Sequence, residues 1–141
     1  AKYNPDWVFS VASPFLTGGD VKDVEAEIIQ PTLTLTENIV HNALKNGVRT
    51  LIYTSSMAAI RGPKQKPSQG DAFTTADWNT MSVPSTPTGA YQWVKAQAER
   101  LARDICGRAS RPHGMRFGSV LPCFLLGPAV RNVDVNDINP P

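Results

Sequence analysis

Tyr91 and Lys95 stand four residues apart in the stretch Thr88-Gly89-Ala90-Tyr91-Gln92-Trp93-Val94-Lys95-Ala96-Gln97-Ala98-Glu99-Arg100-Leu101-Ala102, which reads as a helix. On a helix, positions i and i+4 lie one above the other on the same face, so a phenol and an ammonium are held together. An ammonium close to a phenol favours the phenolate and lowers a pKa that is ordinarily about 10, which makes the tyrosine a usable proton donor and acceptor near neutrality. Taken alone, the spacing is equally that of an ordinary pair on a helix surface. Its meaning depends on what the other elements place beside it.

Those elements follow from the apolar pattern. Asp6 to Ser13 is a short, mostly apolar, β-forming run that stops at Pro14; continuous apolar character over so few residues predicts a strand covered on both faces, as in a parallel sheet. Asp20 to Gln30 has modest helix signals, with Pro31 expected to break them. Thr32 to Asn46 puts Leu33, Thr36, Ile39, Val40, Ala43 and Leu44 at helical spacing, and Gly47 follows where a C-terminal cap belongs. Arg49 to Ser56 reads as a second buried strand ending in hydroxyls, which completes a βαβ unit with a right-handed crossover. From Arg61 to Pro87 the chain turns to Pro, Gly, Ser, Thr and Lys, and residues 61–87 are expected to form an active-site loop joining the hydroxyl cluster to the Tyr/Lys helix. That helix is expected over Ala90–Cys106, with Thr88 as N-cap, Gly107 as stop and Val94, Ala98, Leu101 and Ile105 as its apolar stripe. Met115 to Leu121 reads as a third strand, closed by Pro122. The order strand, helix, strand, loop, helix, strand predicts an α/β domain with a parallel sheet.

Composition narrows the functional classes. The 141 residues, with ordinary apolar and charged fractions and a formal net charge of +2, are one globular domain's worth of material. Arg61, Lys64 and Lys66 are the one basic cluster, and no basic helix face accompanies them; a solvated loop is expected, and nucleic acid is not expected as a partner. Cys106 and Cys123 are too few and too separated for a disulfide framework or a metal set, and His41 and His113 add no ligand spacing, so reduced thiols and no metal are expected. No apolar run is long enough for a membrane span and no signal peptide is evident, so a cytoplasmic protein is expected. Trp78 and Trp93 are expected to pack.

Ser13, Ser55, Ser56, Pro122 and Cys123 all fall at or just beyond strand carboxyl ends, the edge outside which parallel α/β sheets bind ligands. Tyr91 and Lys95 lie in the first turns of the helix entered from that edge. A hydroxyl donor, a tunable phenol and a cation on one crevice suit protonation of a carbonyl oxygen while a hydride arrives at carbon. No side chain can supply a hydride, so a nicotinamide is implied.

Four segments, Val8-Phe9-Ser10-Val11-Ala12-Ser13-Pro14, Leu51-Ile52-Tyr53-Thr54-Ser55-Ser56-Met57, Tyr91-Gln92-Trp93-Val94-Lys95 and Leu121-Pro122-Cys123-Phe124-Leu125-Leu126-Gly127-Pro128, resemble the extended short-chain dehydrogenase/reductases of the NAD-dependent epimerase/dehydratase superfamily. Within them the chain is most similar to the dihydroflavonol reductase, cinnamoyl-CoA reductase and fungal aldehyde/ketone reductase branch. The resemblance implies a Rossmann-like doubly wound parallel sheet, NADP or NAD as cofactor, a small-molecule carbonyl or alcohol substrate, and a monomer or homodimer. It implies that Ser56 polarises the substrate carbonyl, that Tyr91 protonates its oxygen, and that Lys95 lowers the phenol's pKa and bonds the nicotinamide ribose hydroxyls. Ala12 and Ser13 match the segment beside the cofactor, Thr54 and Ser55 are expected to join them, and Pro122, Cys123 and Phe124 match the segment at the nicotinamide end.

The chain also departs from that pattern. Thr34 and Leu35 stand where many extended members carry Asn-Gly, which alters polar support ahead of the serine strand. The family's Gly-rich turn, which lets backbone approach the cofactor pyrophosphate, has no counterpart; Gly18-Gly19 follows the wrong strand and is read as a turn. Residues 1–128 are thus expected to be the central and C-terminal part of a dinucleotide-binding domain, and 129–141 the start of a substrate-binding segment. A non-catalytic dinucleotide-sensing member and a nucleotide-sugar epimerase or dehydratase are the alternatives to a reductase.

Overall fold

Each of the apolar runs becomes a strand, and each is shorter than its apolar run. The structure, a computed structural model, describes residues 5–16, 21–108 and 114–124. In chain order it has β1 (Trp7–Ser10), a π-helical turn (Glu25–Ile29), α1 (Gln30–Lys45), β2 (Thr50–Thr54), a 3-10 turn (Met57–Ala59), α2 (Pro87–Arg108) and β3 (Arg116–Val120). The strands form a parallel sheet in the order β1-β2-β3. Its register aligns Ser10 with Tyr53 and Tyr53 with Ser119. Gly18-Gly19, Leu125 to Pro128 and the expected segment 129–141 lie outside the described residues.

Pro31 does not break the first helix. A proline lacks the N–H that would bond four residues back, and its ring crowds that carbonyl. The π-helical turn just ahead of it, with the Gln30 N–H bonded to the Glu25 carbonyl, widens the backbone there and α1 continues. At its other end Gly47 adopts φ +69°. There Gly47 N–H bonds to Leu44 O (3.1 Å) and Val48 N–H to Ala43 O (3.0 Å), a Schellman cap that needs the left-handed residue glycine supplies. On α2 the cap is Thr86 rather than Thr88: its Oγ1 accepts the Gly89 N–H at 3.1 Å. Pro87 takes the first helical position, where a missing N–H is harmless.

Both helices pack on one face of the sheet. Val40 and Ala43 of α1, Leu51 of β2, and Ala102 and Cys106 of α2 form one buried cluster, against which Val8 and Phe117 pack. A second joins Ile28 and Ile29 to Ala90 and Val94. Full burial of a Val- or Leu-sized side chain contributes about 1.5–3 kcal/mol, and the same burial pushes the Cys106 thiol up to about 11. The other sheet face differs from expectation. Trp7 is 52% and Phe9 65% exposed, their rings stacked on one another, because no described element covers that side.

Residues 61–86 contain neither helix nor strand, yet side chains tie them down. Gln65 accepts the Gly62 and Thr80 N–H groups and donates to Trp78 O at 2.8 Å. Asp77 accepts the Ser68 and Thr74 N–H groups at 2.8 and 2.7 Å. Hydrogen bonds from Ser68 and Thr74 hold its carboxyl down at about 2, because they favour the charged form. The Trp78 ring lies under the Arg100 and Arg103 guanidinium groups of α2, 4.6 and 5.6 Å away.

Candidate active site

Four segments meet at the carboxyl edge of the sheet around a cleft of about 230 Å³. The turn after β1 brings Ser13, the end of β2 brings Thr54, Ser55 and Ser56, the segment after β3 brings Pro122 and Cys123, and α2 brings Tyr91 and Lys95. Eight of the residues singled out in the sequence therefore share one cleft. Ala12 and Phe124, the remaining two, are exposed and are not among its walls. Val11 and Phe15 add apolar wall that the sequence had not nominated. No residue of 61–86 lines the cleft; that loop lies against the 3-10 turn and α2 instead.

Ser56 is fixed by its position in the fold. It has extended backbone and caps the 3-10 turn, its Oγ accepting the Ala58 N–H at 3.1 Å. A hydroxyl has one hydrogen and two lone pairs; the cap occupies a lone pair and leaves the hydrogen free to donate into the cleft. Backbone bonds from Ser55 N–H to Val120 O (2.9 Å) and from Met57 N–H to Pro122 O (3.0 Å) hold this segment against the end of β3. The Ser55 hydroxyl is buried and has no hydrogen-bond partner among the described residues.

Lys95 is a buried cation in the cleft wall. It is only 4% exposed, and burial lowers its pKa from the ordinary lysine value. The ammonium donates to Ser13 Oγ at 3.0 Å, while the Ser13 hydroxyl donates weakly to Pro14 O at 3.3 Å. Lys95 Nζ is 5.7 Å from the centroid of the Tyr91 ring, so the i, i+4 pair meets as its helical spacing required. Phe15 packs its ring edge-to-face on Tyr91, centroids 5.0 Å apart, which restrains the plane of the phenol.

Two polar groups behind the cleft escaped the sequence reading. Glu99, one turn after Lys95, is 1% exposed. Its Oε1 accepts Ser119 Oγ (2.7 Å) and Arg103 Nε and Nη2 (3.0 and 2.8 Å), which ties α2 to β3. Tyr53 shares a hydrogen bond of 3.0 Å with Thr36 Oγ1. Since the Thr36 hydrogen goes to Thr32 O at 2.8 Å, the Tyr53 hydroxyl is the donor. Burial raises the Tyr53 pKa, and the charges of Glu99 and Tyr91 add to the rise. A carboxylate four residues beyond a buried lysine was the available sign for Glu99. For the Thr36–Tyr53 pair, which joins α1 to β2, no local sign exists. Among the described residues no group of three or more His, Cys, Asp or Glu side chains converges to hold a metal.

A three-stranded parallel sheet with its cleft at the carboxyl edge and a Ser/Tyr/Lys set around it has the architecture of a Rossmann-like oxidoreductase domain. Residues 5–130 match the 3-beta hydroxysteroid dehydrogenase/isomerase family, and the chain belongs to that family. It is 28% identical over 127 residues to a cinnamoyl-CoA reductase from Medicago truncatula, covering 89% of this chain and 37% of that protein. It is 27% identical to a dihydroflavonol 4-reductase from Gerbera hybrida, covering 87% and 32%. Among solved structures, the yeast methylglyoxal/isovaleraldehyde reductase Gre2 complexed with NADPH superposes with a TM-score of 0.75 at 27% identity, covering 87% of this chain and 37% of that one. The chain thus spans about a third of the length of these relatives. No described helix is long and apolar enough to cross a membrane.

Proposed function

We propose that the protein reduces a carbonyl group on a small molecule at the expense of NADPH or NADH, with Ser56, Tyr91 and Lys95 as its catalytic residues. One observation carries the reading: among the described residues a buried ammonium, Lys95, has a single acceptor, Ser13 Oγ, in a cleft it shares with a tyrosine and a serine whose hydroxyl hydrogen has no partner there. An ammonium has three hydrogens to place, and leaving them unbonded out of water is costly. Ligand hydroxyls would satisfy them. The dinucleotide-complexed relative and the reductase names of the other two support the same reading.

The residues fit the nicotinamide-ribose end of such a cofactor. Lys95 and Ser13 would hold the ribose hydroxyls, with Thr54, Ser55, Pro122 and Cys123 as neighbouring wall. The described residues include no Gly-rich turn for the cofactor's phosphates. When bound, the cofactor supplies the hydride. Ser56 donates its free hydrogen to the substrate oxygen and so draws electron density from the carbonyl carbon. Tyr91 gives its proton to the same oxygen. The Lys95 charge stabilises the negative charge left on the phenol oxygen.

Tyr91→Phe in the full-length protein tests this. The variant keeps the ring contact with Phe15 and loses the proton, so turnover is expected to fall by about a hundredfold or more while nicotinamide fluorescence still titrates on binding. A variant that turns over like the parent shows that Tyr91 is not the acid.

A further inference from the structure

Ser56 and Tyr91 come from different elements, with the whole of residues 57–90 between them in sequence, yet both must reach one substrate oxygen. We propose that Asn79 is the positioning residue that sets their separation, an inference that rests on the reductase reading above.

Asn79 lies in the long loop, is 6% exposed and contacts neither the cleft nor its catalytic groups. Every polar atom of its side chain is used. Oδ1 accepts the Met81 and Ser82 N–H groups at 3.1 and 3.0 Å. Nδ2 donates to Ala58 O at 2.8 Å and to Ser82 Oγ at 2.8 Å, with Gln92 O a longer contact at 3.5 Å. The Ser82 hydroxyl passes the chain on to Gln92 Oε1 at 3.0 Å, and the Asn79 N–H bonds to Ala59 O at 2.8 Å. At one end, Ala58 supplies the N–H that fixes Ser56 Oγ. At the other, Gln92 adjoins Tyr91. The hydrogen-bonded path from the serine's turn to the tyrosine's helix therefore runs through one amide.

Gly62 shows how tightly the amide is seated: a Cβ there would lie 2.3 Å from Asn79 Oδ1. The orientation of the amide is set by its partners, since backbone N–H groups can only donate to Oδ1 and the Ala58 carbonyl can only accept from Nδ2. Aspartate in its place keeps both acceptor bonds on Oδ1. Its second oxygen, however, faces the Ala58 carbonyl and pushes the turn away.

The test compares Asn79→Asp, Ser82→Ala and Asp77→Asn in the full-length protein by steady-state kinetics, thermal melts and crystal structures. Asp77→Asn is the stability control, because it loosens the same loop at Ser68 and Thr74 without touching the Ala58–Asn79–Ser82–Gln92 path. Asn79→Asp is expected to lower kcat about ten- to a hundredfold through misplacement of the two groups, with cofactor KM held within about threefold. Asp77→Asn is expected to lower the melting temperature while keeping kcat. Ser82→Ala, which cuts the link to Gln92 and spares the Ala58 bond, is expected to lower kcat less than Asn79→Asp and carries the comparison should that variant misfold. Retained kcat in Asn79→Asp and Ser82→Ala, or kcat falling in all variants in step with melting temperature, overturns the proposal. The crystal structures read the Ser56 Oγ to Tyr91 Oη separation without any turnover. Parent protein that fails to reduce carbonyls defeats the reductase reading, whereas an unchanged separation in Asn79→Asp defeats only the role of Asn79.

Discussion

Lys95 carries an energetic penalty that its neighbours do not remove. Taking an ammonium out of water is unfavourable unless opposite charge and full hydrogen bonding compensate. Among the described residues a single neutral hydroxyl accepts from it, and Glu99 one turn away is engaged by Arg103 and Ser119 instead. Lys95→Met keeps the length of the side chain and removes the charge. It is expected to abolish carbonyl reduction while raising stability by roughly 1–3 kcal/mol near neutral pH, read as a higher denaturation midpoint. The sign with pH follows from the lowered pKa. At a pH between the lowered folded-state value and 10.5 the unfolded lysine holds its proton more tightly, so parent stability grows as pH rises. The gap between parent and variant should close as pH approaches 10.5; a gap that widens would mean that the buried amine is stabilised as a cation.

The elements carry their own conflicts between local preference and packing, and the start of α2 is the clearest. Helix propensity favours alanine over glycine by about 0.5–1 kcal/mol, so Gly89→Ala should stabilise an isolated helix. In the fold, however, a Cβ at position 89 would lie 2.3 Å from the Val83 carbonyl oxygen and 3.1 Å from the Thr86 hydroxyl that caps the helix. The backbone must shift, and overpacking of this kind costs about 1–3 kcal/mol, so Gly89→Ala should lower the melting midpoint. Such tertiary conflicts mark where the sequence was opaque. The strands, α1 with its Gly47 cap, α2 with its Tyr91/Lys95 face, and the convergence of Ser13, Ser56 and Pro122 on one edge were legible because period and punctuation are local. The passage of α1 through Pro31 was not, since a π-helical turn leaves no mark in residue type. Nor was the order of residues 61–86: composition announced a loop there, whereas Gln65, Asp77 and Asn79 fix it through partners as far off in the chain as Ala58.

On the scale of the whole molecule, the sheet has two unequal faces. Register puts Val8 with Leu51 and Phe117 on the side that α1 and α2 bury, and Phe9 with Ile52 and Gly118 on the side that no described element covers. The chain spans about a third of its relatives' length, and its described fold rests on the inner face. Truncations at neighbouring positions separate the two faces by magnitude. Leu51 is 0% exposed, and Leu51→Ala should cost about 2–5 kcal/mol through lost transfer energy and an unfilled cavity. Phe9 is the larger side chain, yet at 65% exposed it has little burial to lose, and Phe9→Ala should cost under about 0.5 kcal/mol. Chemical denaturation of this chain and of the full-length protein reads both. In the chain the ordering should be Leu51 far above Phe9. Should Phe9→Ala cost as much as Leu51→Ala in the full-length protein, then the outer face is packed there, and the aromatic pair Trp7 and Phe9 belongs to a second core that the described residues do not complete.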